Sequence, residues 1–347
     1  MKSVKPDEAS GDDAGPEPPT VIVAVKNGMK HWQGWWSAMK SQDWPDGSEI
    51  LVVDDGSTDG LPEALQAAEG EAVPISFRHF RVEGTRPGKR DALAHAVAEA
   101  TGTWLLFTDI DCVPAGRAWA RTLCAAGQNA DVVLGVSWPV LDSGQQPKLL
   151  STLQAFDAVH IARSYVGWAE RGNPYMGVGR NMAVRRAVFP GFDASKGLAS
   201  GDDDLLIQTL ASSPECRFAT VSNRPSQMDT HGPTSWASWM AQKRRHWTTA
   251  PHYTRADQWR LLLPKLTATG MLVAAAGNAV VHNSLWITGG LLGCAWLSDL
   301  LNFRSITKAC QTPVSWRNGG GLSPLWSVWN GLIAFSMIRK RQDKSQW

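Results

Sequence analysis

Gly102-Thr103-Trp104-Leu105-Leu106-Phe107-Thr108-Asp109-Ile110-Asp111 sets a four-residue apolar run directly before two carboxylates one residue apart, and Pro114 closes the segment. The run predicts a buried strand of a parallel sheet, with Asp109 and Asp111 at its carboxyl end, where open α/β sheets collect their ligands. Just past a strand end both carboxylates can converge on one divalent ion. Mg2+ and Mn2+ are hard ions that take oxygen ligands and complete their shells with substrate phosphate and water. The same pair also suits a solvated strand end or an Asx turn, so the stretch alone leaves both readings open.

The residues before it repeat a strand and helix alternation. Val21 to Val25 is a continuous apolar run that exits at Lys26-Asn27-Gly28, and Trp32, Trp35, Trp36 and Met39 follow at helical spacing until Asp43-Trp44-Pro45-Asp46-Gly47. Glu49 to Val53 predicts a second strand, ending in Asp54-Asp55-Gly56-Ser57-Thr58-Asp59-Gly60, and Leu61 to Ala68 a short helix. Ile75 to Phe80 predicts a third strand, and Asp91 to Ala100 a helix that feeds the strand of Asp109. This alternation argues for an α/β, Rossmann-like, mostly parallel sheet with crossover helices. Neither a GxGxxG turn nor a GxxxxGK[ST] loop is present.

Beyond Asp111, Asp131 to Pro139 predicts a further strand and Leu149 to Trp168 a helix. Gly172 to Arg180 is glycine-rich, Asn181 to Val188 is short and apolar, and Ser200-Gly201-Asp202-Asp203-Asp204-Leu205 leads into a helical run.

Composition narrows the function classes. Lys+Arg 34 against Asp+Glu 32 gives bulk charge no case for nucleic acid. Eighteen Trp suit a lipid interface, a core or a sugar groove. The five Cys lack metal-like spacing and read as small buried residues of a reducing compartment. Residues 1–19 are rich in Pro, Asp, Glu and Gly and predict a disordered lead rather than a signal peptide.

The tail changes character. Leu261 to Val281 and Ser284 to Leu301 predict two membrane helices around a His282-Asn283 turn, with a buried soluble hairpin as the competing reading. Leu322 to Ile338 predicts a third, interfacial segment, followed by Arg339-Lys340-Arg341. Arg304, Lys308 and Arg317 place the loop after the hairpin on the cytoplasmic face.

Taken together, Val21 to Asn27, Val52 to Asp59, Gly88-Lys89-Arg90-Asp91-Ala92-Leu93, Asp109-Ile110-Asp111 and Gly201 to Leu205 resemble glycosyltransferase family 2, the inverting nucleotide-sugar transferases of the GT-A fold. The resemblance implies a nucleotide site of Ala24, Lys26, Asn27, Asp54, Asp55, Lys89 and Asp109. In it, Asp55 would bond uracil or ribose, Asp54 would shape the turn and Lys89 would hold phosphate. It implies Asp111 as direct ligand of Mg2+ or Mn2+, with Asp109 on the ribose or in the metal shell. Asp202 would be the general base, with Asp204 as the second acid. Gly201 stands where the family has Glu, which leaves Asp203 a rival base. The three acids also suit a helix start.

Gln242-Lys243-Arg244-Arg245-His246-Trp247 resembles the QxxRW motif of membrane-associated members, with His246 standing where Trp is usual. It implies Arg245 near diphosphate and Gln242, His246 and Trp247 near the acceptor. Lys243 and Arg244 read rather as membrane anchors. Asn181, or its backbone, would line the acceptor cleft, and His231 and His246 suit either the cleft or an ordinary packed polar position.

The resulting expectation is a GT-A domain over residues 20–255 and membrane helices with a basic tail over 256–347. The domain would sit on the cytoplasmic side of the cell (inner) membrane. It would move a sugar, most simply from a UDP-sugar, to a hydroxyl of a lipid or membrane-associated glycan. Transfer to polyprenyl phosphate and an inactive membrane scaffold are the alternatives.

Overall fold

The computed structural model describes residues 17–83, 89–140, 147–192, 197, 198, 200–281 and 284–312. Gly88, the segment from Leu322 to Ile338, its basic tail and most of the expected N-terminal lead lie outside them.

Among the described residues nineteen β-strands and α-helices follow in chain order. They are β1 (Pro19–Val25), α1 (Met29–Lys40), β2 (Glu49–Asp55), α2 (Leu61–Glu69), β3 (Ser76–Val82), α3 (Arg90–Glu99), β4 (Trp104–Phe107), β5 (Cys112–Pro114), α4 (Trp119–Ala126), β6 (Val132–Leu134) and β7 (Ser137–Pro139). Then come α5 (Lys148–Glu170), β8 (Met182–Arg185), α6 (Asp202–Ala211), β9 (Phe218–Thr220), β10 (Met228–Thr230), α7 (Trp236–Trp247), α8 (Arg255–Val281) and α9 (Leu285–Ala309).

The chain divides into two compact units. Of the described residues, the first holds those up to 137 and 165–231; the second holds those of 138–164 and from 232 on. The boundary expected near residue 255 falls inside the second unit.

In the first unit the main sheet has the order β3-β2-β1-β4-β8-β6-β9. β1 runs parallel to both β2 and β4, with Val21 opposite Ile50 and Leu106, and β2 runs parallel to β3. Every residue of β1, β2 and β4 is buried, which explains the unbroken apolar runs: a strand covered on both faces has no polar side to alternate. Trp32, Trp35, Trp36 and Met39 of α1 pack into this core with Phe77 of β3. Much of the Trp surplus in this unit is therefore core. Glu49, buried at the start of β2, accepts from Thr20 Oγ1 and from both Thr101 N and Oγ1, each at 2.7 Å, and so ties together the starts of β1, β2 and the turn into β4.

The sheet departs from the expected pattern at one place. Met182–Arg185 inserts antiparallel between β4 and β6. A four-residue apolar strand carries no directional signal, so its hand is set by where the chain has to return. The strand expected over Asp131 to Pro139 is broken at Gly135-Val136 into β6 and β7. β10 pairs antiparallel with β5, bringing residues near 228–231 beside Asp111.

In the second unit Phe156 stacks on Phe303 at 5.6 Å, and Asp157 and Lys243 form a buried ion pair. The tail forms a helical hairpin, α8 and α9. Its turns are cross-linked by polar groups: Asn278 Nδ2 donates to Thr288 Oγ1 at 2.9 Å and to Ser284 O at 3.0 Å. Those polar positions interrupt the apolar windows. Among the described residues no helix is long and apolar enough to cross a membrane, so the hairpin is shown and the two expected spans are not.

Candidate active site

The site grows from the end of β4. The strand stops at Phe107, Thr108 N still bonds Ile22 O at 3.2 Å, and a turn closed by Cys112 N on Asp109 O at 3.1 Å follows. Ile110 points into the core, whereas Asp109 and Asp111 are half-buried. The alternation of the short motif is thus an anchor between two ligands. Asp109, Asp111 and Cys112 can bring one ligand atom each within 4.8 Å of one another. Burial, and next the charge of Asp109, push the Asp111 carboxyl up. Burial also raises the Cys112 thiol well above its ordinary value, with the two carboxylates adding to it. The thiol therefore stays protonated and donates to Asp111 Oδ1 at 3.3 Å. What remains is a pair of carboxylate oxygens, a donor set that fits Mg2+ or Mn2+.

Lys89 sits on this pair, its ammonium hydrogen-bonded to Asp109. Burial by itself would lower its pKa, but contact with Asp109 and the charges of Asp202 and Asp203 raise it. The structure therefore brings Lys89, Asp109 and the acid run of α6 to one place. β5 and β10 add a histidine: His231 N donates to Asp111 O at 3.0 Å, and its ring stacks on His31 at 5.4 Å. His31 is pulled down to about 4 by burial, then by Lys30 and His231.

The ends of β1 and β2 form the neighbouring lobe. Asn27 takes a left-handed backbone, φ 54, which Asn tolerates better than most residues. Its N donates to Ser57 Oγ at 2.7 Å and its Oδ1 accepts from Thr58 N at 2.9 Å. Asp54 is spent on the turn: Oδ1 accepts from Ser57 N at 2.9 Å and Oδ2 from Arg81 Nη1 at 2.8 Å. That matches its turn-shaping part and leaves it no contact to offer a nucleotide. Asp55 is buried beside Lys26, 3.8 Å away. Ala24 is buried within β1.

α6 begins at Asp202, so all three acids occupy its first turn, where the helix dipole favours negative charge. Gly201 before it has φ 97, a conformation L side chains rarely adopt. This is the physical reason a glycine stands there in place of glutamate. Asp203 is a bracket: Oδ2 accepts from Gly179 N at 2.7 Å and Oδ1 from Asp204 N at 2.9 Å. A Cβ at Gly179 would lie 3.0 Å from Asp203 Oδ2. Asp202 is buried next to the Lys89 charge. Asp204 is half-buried on the same turn.

Asn181 corrects the sequence expectation. Its side chain is fully buried, with Nδ2 donating to Val136 O at 2.6 Å and Ser226 O at 2.9 Å while Oδ1 accepts from Trp119 Nε1 at 2.9 Å. A side chain tying three segments together has nothing left for an acceptor. Its neighbour Arg180 is half-buried and bonds Ser137 Oγ through Nε at 2.5 Å.

Gln242, Arg245, His246 and Trp247 all fall on α7, in the second unit. His246 is exposed and the other three are half-buried. Lys243 on the same helix is committed to Asp157 in that unit's interior, not to lipid headgroups.

Residues 20–189 match the family described as glycosyl transferase family 2; the acid run at 202–204 lies just beyond the matched part. The glycosyltransferase AglE of Haloferax volcanii is 30% identical over 118 residues, which is 33% of this chain and 38% of that protein's length. Among solved structures, the mannosyltransferase PcManGT from Pyrobaculum calidifontis, in complex with GDP-Man and Mn2+, is similar at 20% identity with a TM-score of 0.60, covering 94% of this chain and 90% of that one. That likeness is one of fold. The match to glycosyl transferase family 2 thus covers a little under half of the chain, the part that carries β1 to β8 and both carboxylates at the end of β4.

Proposed function

We propose that the protein is a metal-dependent, inverting glycosyltransferase that passes a sugar from a nucleotide sugar to a hydroxyl of a lipid or membrane-associated glycan. The observation that carries this is the convergence of Asp109 and Asp111 with Lys89, whose charge links them to Asp202. Mg2+ or Mn2+ held by Asp111 and Asp109 would neutralise charge developing on the leaving diphosphate. Lys89 holds phosphate as a point charge. Asp202, in the first turn of α6 and within reach of the Lys89 charge, takes the acceptor's proton while the oxygen attacks in line, and a single displacement inverts the anomeric carbon. The turn of Asp54 and Ser57 shapes the floor for the base, with Asp55 and Lys26 beside it.

The donor is a UDP- or GDP-sugar: UDP is what the family resemblance implies, with Asp55 on uracil or ribose, and PcManGT, a solved neighbour of the same fold, holds GDP-Man. A membrane-borne acceptor is supported by the hairpin. All but one of the exposed large hydrophobics among the described residues lie on α8 and α9, including Trp259, Val280, and Trp286, which is 92% exposed. Such a face suits a hairpin lying in the headgroup layer on the cytoplasmic side.

The test is donor consumption and transfer by the detergent-solubilised full chain across a panel of nucleotide sugars, with Mn2+, with Mg2+ and with chelator, followed by mass analysis of the lipid extract. The expected result is one donor consumed only with metal, and a mass gain of one sugar on a lipid. Equal turnover in chelator, or in Asp109→Asn and Asp111→Asn, would overturn the metal assignment.

A further inference from the structure

Arg180 is a cation at the site to which the proposed reaction has given no task. It lies between Gly179, which is clamped by Asp203, and β8, which pairs with the strand that delivers Asp109 and Asp111. A guanidinium offers five N–H donors. Among the described residues the one engaged is Nε, on Ser137 Oγ. The positive charge reaches Asp111 and Cys112, holding both lower than burial would leave them, yet among the described residues no ion pair joins Arg180 to Asp111.

Lys89 behaves differently. Its ammonium is in direct contact with Asp109. The carboxylate pair thus has one cation spent on it and a second, on the Asp111 side, pinned through Nε and held off. A counter-ion serving only to neutralise Asp111 would gain most by closing to contact. A half-buried guanidinium with its terminal nitrogens unspent gives up hydration that an arriving anion with several oxygens restores.

We propose that Arg180 is a diphosphate-binding residue of the donor site, its terminal nitrogens taking phosphoryl oxygens of a nucleoside diphosphate on the Asp111 side. This rests on the donor-site reading above and assigns to Arg180 the diphosphate contact that the sequence pattern assigned to Arg245. The fork geometry is what a lysine cannot reproduce. Its anchor is Ser137, so loss of that hydroxyl leaves the charge in place but frees its orientation.

The experiment is calorimetric titration of the full chain with UDP, GDP, UMP and GMP in the presence of Mn2+, and with Mn2+ alone, for the wild type, Arg180→Lys and Ser137→Ala. For the nucleotide the wild type binds, Arg180→Lys is expected to weaken the diphosphate about tenfold or more, the scale of a lost charge-assisted hydrogen bond. The matching monophosphate and Mn2+ alone are expected to be nearly unchanged, and Ser137→Ala to fall in between. An unaltered thermal midpoint keeps folding out of the comparison. Arg180→Lys binding diphosphate like the wild type, or losing mono- and diphosphate equally, overturns the proposal. Normal diphosphate binding with a raised KM for the acceptor also overturns it, because the anion would then be the acceptor's. A wild type that binds no nucleotide with Mn2+ fails at the donor-site reading itself, before Arg180 is reached.

Discussion

At the scale of the residue, the three consecutive acids divide their work. Asp203 brackets Gly179 N and Asp204 N and is half-buried, whereas Asp202 is buried; the charges of both reach Lys89. Asp202→Asn is therefore expected to lower kcat about 10²- to 10⁴-fold, the usual span of a lost general base, with diphosphate affinity kept. Asp203→Ala leaves the Gly179 N–H unpaired and is expected to cost about 1–3 kcal/mol of stability, read by urea unfolding, with a smaller effect on kcat. A silent Asp202→Asn beside an inactive, well-folded Asp203→Ala would exchange the two roles. The sequence showed three acids at a helix start. It could not show which one meets a backbone amide from 24 residues upstream, since that contact exists only once β8 has folded back beside β4.

At the scale of the element, the start of α6 shows how local conformation chooses a residue type. The family motif has Glu before the base, and this chain has Gly201 at φ 97. Gly201→Glu restores the motif in sequence but places a side chain in a region L residues enter at a cost of about 1–3 kcal/mol. The expected outcome is a lower denaturation midpoint and no gain in transfer rate. A stabilised, faster variant would mean that the glycine is a lost function and not a fitted turn. β4 makes the opposite point. Trp104–Phe107 was legible to the residue, because an apolar run of strand length followed by two acids admits few other placements in an α/β chain. Asn181, read as an acceptor-side residue, is instead the buried tie among Val136, Ser226 and Trp119. An Asn next to an apolar strand looks the same in sequence whether its amide faces a cleft or a core.

At the scale of the whole molecule, the second unit separates two properties that a hydropathy reading merges. α8 and α9 are apolar enough to leave Trp259, Val280, Trp286 and Leu301 exposed, and too polar to cross a bilayer. On the membrane-borne reading proposed above, such a hairpin would partition at a surface. In vesicle flotation the full chain is expected to bind liposomes containing anionic lipid. Trp286→Glu combined with Val280→Glu is expected to reduce that binding at least about tenfold, on the scale of lost aromatic and aliphatic burial. Unchanged flotation would remove the hairpin as the contact. Lys243 belongs to the same lesson: within a basic run before an apolar hairpin it reads as a headgroup anchor, but its partner Asp157 lies 86 residues upstream in the same unit.

By itself the sequence determined the strand and helix alternation, the strand that ends at Asp109 and Asp111, and the family those stretches resemble. These are local signals: runs, breaks and spacings within a dozen residues. Tertiary structure decided the antiparallel hand of β8, the bracket at Asp203, the burial of Asn181 and Lys243, and the reach of the Arg180 charge to Asp111. Each of these is a pairing between segments far apart in the chain. A side chain's role there depends on which partner the fold delivers, and nothing in its own neighbourhood of sequence carries that information.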